Sequence, residues 1–228
     1  WRDGTMRKKK ITQDKVVYFF NYVFLTLMLL IVLYPLIYIV SCSFSSGNAL
    51  VSGKVKFLPV EPTLQSYKAV FEYRAIWVGY KNSIVYTVLG TLFSVALTLL
   101  AAYPLSREDL RGGKAFMALF LFTMMFSGGL IPTYLLVKNL GLVNTMWAVI
   151  LPGSVSAYNV IVARTFFKQN IPQELLEAAK VDGCSDFRFF MSIVIPLSMP
   201  IVAVLALWVA VGQWNSYFNP MIYLNSEN

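Results

Sequence analysis

Histidine is absent from this 228-residue chain, cysteine occurs twice, and charged side chains make up only 13%. Without imidazole there is no His-containing metal site and no Ser-His or Cys-His pair for nucleophilic hydrolysis. A phosphate-cradling loop is lacking too. Gly112-Gly113-Lys114 is followed by Ala115, and the position five before Gly113 is Glu108, so both ends of the required spacing fail. The chain holds no cofactor or metal of its own on this reading. The shortage of charge argues against an ordinary soluble domain, where about a quarter of residues are charged.

What the chain has instead is apolar side chains, 57% of the total, gathered in blocks. Blocks of about 20 such residues match the roughly 30 Å hydrocarbon core of a bilayer. Five crossings are expected, at residues 16–40, 82–105, 115–136, 146–167 and 193–213, giving an all-α, polytopic membrane helical bundle that forms one transmembrane domain over 1–228. A polar tail covers 1–14, and 168–192 is a long polar loop. The charge pattern orients the bundle. With the N-terminus in the cytoplasm, thirteen of the 19 cations lie on that side, among them Arg2, Arg7, Lys8, Lys9, Lys10, Arg107, Arg111, Lys168, Lys180 and Arg188. Only Lys54, Lys56, Lys68, Arg74, Lys81 and Lys138 remain outside. This is the positive-inside bias, so the net charge of +8 reads as topology information and leaves nucleic acid no part as a partner. The first span is too long for a removed signal peptide. Cys42 then lies at the outer face and Cys184 at the inner one, where they cannot pair.

The loop 168–192 reads as two short helices joined at Gly183. Asn170 is expected to cap the first, with Gln173 at the capping-box position, Pro172 in the first turn, and Glu174 and Glu177 toward its positive end. Gly183 supplies the stop. A second piece, 186–192, leads through Pro196 and Pro200 into the fifth span. Ala178 and Ala179 allow another surface to approach the backbone closely, while Glu177 and Asp182 can meet cations.

This run, Glu177-Ala178-Ala179-x-x-Asp182-Gly183 followed by Phe190, Ile193, Pro196-Leu197 and Pro200, resembles the EAA loop of ABC importer permeases. Phe166-Phe167, Ile171-Pro172-x-Glu174-Leu175 and Trp214-Asn215 are similar to the carbohydrate-uptake branch, and the segment from Ser127 to Leu142 is similar to its subgroup for larger or acidic oligosaccharides. The resemblance implies a coupling helix that docks in a cleft of a cytoplasmic ATPase subunit through Glu177, Ala178, Ala179, Asp182 and Gly183, supported by Glu174 and Leu175. It further implies a second permease, two ATP-binding subunits, an extracellular solute-binding protein, a bacterial cell membrane around the chain and an oligosaccharide as cargo. The family's core has six helices, so a further apolar helix is expected beyond Asn228.

Along the second span, Ser83, Thr87, Gly90, Ser94, Thr98 and Ala101 share one small, weakly polar face, read first as close helix packing. Ser127-Gly128-Gly129 with Pro132, and Pro152-Gly153, should break the third and fourth spans; broken backbone at membrane depth needs protein or a wet cavity around it. Sugars are gripped by aromatic rings, amides and hydroxyls, which makes Tyr86, Tyr158, Asn159, Trp214 and Asn215 the candidates for the solute path, although Trp and Tyr also collect at membrane interfaces. No charged residue sits squarely within a span, which disfavours a proton-coupled carrier. Import of peptides or amino acids, an ATP-independent channel or carrier, and a scaffold without transport are the other readings.

Overall fold

The computed structural model describes residues 2–224, with side chains from Asp14 onward. The cations Arg2, Arg7, Lys8, Lys9 and Lys10, and the expected continuation past Asn228, lie outside the described side chains and residues. Every regular element among the described residues is helical. The chain divides into two compact units, Trp1–Trp77 and Val78–Asn228.

In the first unit the apolar block at 16–40 lies inside one long helix, α1 (Arg2–Ser43), followed by α2 (Gly47–Val51) and α3 (Gln65–Glu72). A run of serines fastens the segment between them. Ser41 Oγ donates to the Phe57 carbonyl at 2.6 Å, and Ser45 Oγ accepts from the Val60 amide at 3.0 Å. Ser46 caps α2 and donates to Glu61 at 2.6 Å. These bonds satisfy backbone groups of a loop that has no ladder of its own, beside the buried Ala49 and Val55.

α4 (Arg74–Ser106) starts two turns before the expected 82 and ends where expected. The third and fourth spans do not form as single helices. The third is split into α5 (Gly113–Met125) and α6 (Leu130–Asn139), bent by 114°. Gly129 takes φ +84°, a conformation closed to most side chains, with open space where a side chain would stand. The fourth is split into α7 (Met146–Ile150) and α8 (Ala157–Asn170). Pro152 removes an amide from the ladder, and Ser156 restarts the helix by accepting from the Asn159 amide at 3.5 Å. Prolines explain the fifth as well. Pro196 lacks the amide that would bond Ser192, and the backbone responds with a π-helical turn, Phe190–Val194, closed by the Ile195 amide on the Phe190 carbonyl. This turn joins α10 (Asp186–Phe189) to α11 (Ile195–Leu197), and an 80° bend at Ser198 precedes α12 (Met199–Trp214). The apolar helix therefore begins at 199, not 193. The remaining helices are α9 (Gln173–Val181) and α13 (Phe218–Tyr223).

The third and fourth of the five expected crossings are broken where their glycines and prolines suggest, and the count of five is not reached among the described residues by helix length and apolarity. Two helices, Asp14–Ser43 and Arg74–Ser106, are each long and apolar enough to cross a membrane, and two bent pairs bring the number to four if each pair counts as one span.

The main core of the second unit sits where α4, α8, α10 and α12 meet. Val95, Leu99, Ala102 and Tyr103 from α4 pack with Val160, Ala163 and Phe167 from α8, Phe189 and Phe190, and Leu205 from α12. The small face of α4 packs closely, as its composition suggests. Ser94 is buried and donates to the Ser154 carbonyl at 2.6 Å, Thr98 is buried, and a methyl group built on Gly90 would lie 3.1 Å from Gln213.

Candidate coupling knob and solute path

The stretch between α8 and α12, α9 with α10 and the π-helical turn, forms a knob seated on the core through Ala179, Phe189 and Phe190. Its first helix does not start as the sequence suggests. Asn170 belongs to the last turn of α8, where its Nδ2 donates to the Phe166 carbonyl at 2.9 Å, and Pro172 takes the capping position of α9 without a side-chain bond. Ile171-Pro172 forces this: the residue before proline avoids the helical region, so α8 ends there and a fresh helix begins. Gln173 opens α9 and donates to Glu177 at 3.3 Å, so the expected capping box is replaced by a pair one turn apart.

The far end of α9 follows the sequence. Gly183 adopts φ +72°, its amide bonds the Lys180 carbonyl, and the Cys184 amide reaches back to Ala179 at 2.9 Å. This is a Schellman closure. Ser185 then caps α10 by accepting from the Arg188 amide at 3.3 Å. Alanine at 183 would face open space but would have to hold a left-handed backbone, costing about 1–2 kcal/mol. Gly183→Ala is expected to lower the melting temperature of the purified protein measurably, whereas Gly183→Asn, which tolerates that conformation, lowers it less.

The two alanines have opposite surroundings. Ala179 is buried with the core, while Ala178 is exposed. The outward surface of α9 carries Glu174, Leu175, Glu177, Ala178, Val181 and Asp182. Val181 is 88% exposed and Phe187 of α10 is 66% exposed, so the knob shows water more apolar surface than its own fold requires. Sequence reasoning passed over both.

The base of the knob is tied to the turn after α4. Arg107, with a side chain only 16% exposed, donates from Nε to Asp109 at 2.8 Å and from Nη1 to Asp186 at 2.8 Å. Lys168 meets Glu108 at 3.3 Å, and Lys180 lies 4.0 Å from Asp109. The guanidinium holds the Asp109 carboxyl below the usual carboxylate range and is itself held more firmly protonated by Asp109 and Asp186.

At the opposite end of α4 lies a cavity of about 440 Å³ lined by Asn82, Ser83, Tyr86, Gln213, Ser216 and Tyr217 together with apolar groups. Of the five expected solute-path residues, only Tyr86 lines it. Tyr158 and Asn159 stand at the start of α8, where the Tyr158 ring lies 5.8 Å from that of Trp208. Trp214 is half exposed, and Asn215 turns its amide onto the Val211 carbonyl at 2.8 Å, ending α12. The polar groups that do meet in the cavity come from hydroxyls and amides around Tyr86, of which the sequence had marked only Ser83, as part of the small face of the second span. Among the described residues no cluster of metal-ligating side chains forms.

Known proteins resemble this chain in sequence and fold. Residues 4–224 match the family described as the inner membrane component of binding-protein-dependent transport systems. The polygalacturonan/rhamnogalacturonan transport system permease YtcP of Bacillus subtilis is 44% identical over 206 residues, covering 90% of this chain and 72% of its own length. The galactooligosaccharides transport system permease GanQ of the same organism is 34% identical, covering 82% of this chain and 68% of its own length. A crystal structure of a bacterial ABC transporter involved in the import of the acidic polysaccharide alginate contains a chain that superposes with a TM-score of 0.89 at 36% identity, over 94% of this chain and 76% of that one. The chain thus spans about seven-tenths of the curated relatives' length. With the family covering nearly every described residue, the chain belongs to the inner membrane components of binding-protein-dependent transport systems, and is a transport permease subunit, not an enzyme.

Proposed function

We propose that the chain carries oligosaccharide into a bacterial cell as one permease of an ATP-driven importer, paired with a second permease and served by two ATP-binding subunits and an extracellular solute-binding protein. The observation that carries this reading is the knob. Its helices are stopped by a left-handed glycine and seated on an aromatic core, yet it leaves Leu175, Ala178, Val181 and Asp182 uncovered. A surface so firmly held and so little used by its own fold suits a partner. ATP and magnesium act on that partner, and this chain responds because the partner grips its inward-open and outward-open states differently. The N-terminus and the knob face the cytoplasm, in keeping with the excess of cations on that side. The chemistry of the cargo is supported by relatives named for polygalacturonan/rhamnogalacturonan, for galactooligosaccharides and for the acidic polysaccharide alginate, and by the amide- and hydroxyl-lined cavity beside Tyr86.

The test is uptake by the complete complex in proteoliposomes. Import of uronate-containing oligosaccharides is expected to stop when the partner ATPase can bind but not hydrolyse ATP. Import that continues would mean a channel or an ion-driven carrier. A glycan panel measured against the cognate solute-binding protein separates acidic from neutral cargo; binding of peptides or amino acids alone would overturn the carbohydrate assignment.

A further inference from the structure

We infer that Arg107 is a positioning residue that transmits movement of the knob to α4, and so to the cavity at the other end of that helix. The inference rests on the docking role proposed for the knob. Arg107 follows directly on Ser106, the last residue of α4, and its guanidinium bonds Asp186, the first residue of α10, across 79 positions of sequence. The same guanidinium holds Asp109, so the turn 107–109 is closed on itself as well as on the knob.

The flanking contacts repeat the pattern with the charges reversed. Glu108 meets Lys168 of α8, and Asp109 meets Lys180 of α9, so three successive residues of one turn engage two helices of the knob and the helix that leads into it. Glu108, Asp109, Lys168 and Lys180 are all half exposed or more, and such pairs hold weakly. Arg107 differs. It is mostly enclosed, it bridges two carboxylates with separate nitrogens, and its planar fork fixes their directions in a way that a single ammonium cannot. Because Asp109 is held in its charged form, the clasp stays ionised throughout the physiological range.

The lever behind it is a single helix, in which Pro104, three residues before Arg107, is the one residue without an amide for the ladder. Tyr86 lies 17 residues before Tyr103 in one helix, roughly 26 Å at 1.5 Å per residue, and no break separates them. A shift of α10 therefore reaches the cavity wall through one helix and one guanidinium. None of the clasp residues belongs to the outward surface of α9 that Leu175, Ala178 and Asp182 define, so docking and transmission are separable.

The experiment uses the assembled transporter and reads three quantities: retention of the ATPase subunits, thermal stability, and solute imported per ATP hydrolysed. Arg107→Met is expected to retain the subunits and to lower import per ATP about tenfold, the scale set by losing hydrogen bonds to charged groups. Arg107→Lys, which keeps the charge but can serve only one carboxylate, is expected to fall about threefold. Arg107→Asp alone should be worse than either, and the exchange Arg107→Asp with Asp186→Arg should recover most of the loss, since a cation at 186 would again face two carboxylates, at 107 and 109. Unchanged import per ATP in Arg107→Met, or an exchanged pair no better than Arg107→Asp, overturns the inference. If Arg107→Met fails to assemble, the lysine variant and the exchanged pair decide alone. Failure of the unaltered chain to retain the ATPase subunits would instead remove the docking proposal beneath it.

Discussion

Ala178→Trp is expected to lower ATP-driven uptake about thirtyfold or more while leaving the chain folded, and Ala179→Trp to do the reverse, damaging the fold before it touches docking. The two residues are adjacent, and both are small. Their surroundings decide. Ala178 lies on the exposed stripe with Leu175 and Asp182, so an indole there meets nothing of its own chain and obstructs only a partner approaching the backbone. A central contact of that kind is worth about 2 kcal/mol or more, hence the expected factor. Ala179 is 8% exposed and packed with the core beneath α9, where added volume costs about 1–3 kcal/mol in displaced neighbours. Co-purification of the ATPase subunits, uptake in proteoliposomes and a melting curve for each variant make the comparison. Wild-type uptake in Ala178→Trp would place the partner's surface elsewhere; a melting temperature of Ala179→Trp equal to that of the parent would contradict the packing.

The contrast between these alanines also marks what the sequence could and could not convey. That the segment 173–183 is a stopped helix was legible, because Gly183 and the acids near its start are local signals, and local signals do not depend on the rest of the fold. Asn170 misled for the same reason in reverse: its side chain suits a cap, but Pro172 fixed the restart of the helix two residues later, and the amide went to the Phe166 carbonyl instead. The breaks at Gly128-Gly129 and Pro152-Gly153 were visible as composition. Their consequence was not, since no periodicity distinguishes a mild kink from a 114° turn. The same limit applies to the solute path. An aromatic or amide side chain near the outer half of a span is easily noticed, but whether Tyr86 shares a cavity with Gln213 and Ser216 while Asn215 bonds its own helix depends on how α4 and α12 meet. Arg107 offered one hint, an acid two residues on in Ser-Arg-Glu-Asp. Its partner Asp186 is 79 residues away, and nothing local announces it.

Phe167→Ala should produce the largest loss of stability among single truncations in the second unit, about 3–5 kcal/mol. Phe167 is 1% exposed and meets Tyr103 edge-on with ring centres 6.1 Å apart; Tyr103 in turn lies against Phe190 at 5.1 Å and Phe189 at 6.5 Å. These four rings join the end of α4 and the end of α8 to α10 and its π-helical turn, so the cavity left by one ring opens under the knob. With roughly 2–4 °C lost per kcal/mol for a chain of this size, the melting temperature should fall on the order of 10 °C. Phe167→Leu, which keeps most of the volume, should lose less than about 1.5 kcal/mol. A change within one or two degrees for the alanine variant would show that the knob does not depend on this cluster. The functional corollary separates seat from clasp. Loss of the ring loosens α10 in every direction, so Phe167→Ala should weaken retention of the ATPase subunits together with import, whereas loss of Arg107 should spare retention and reduce import alone.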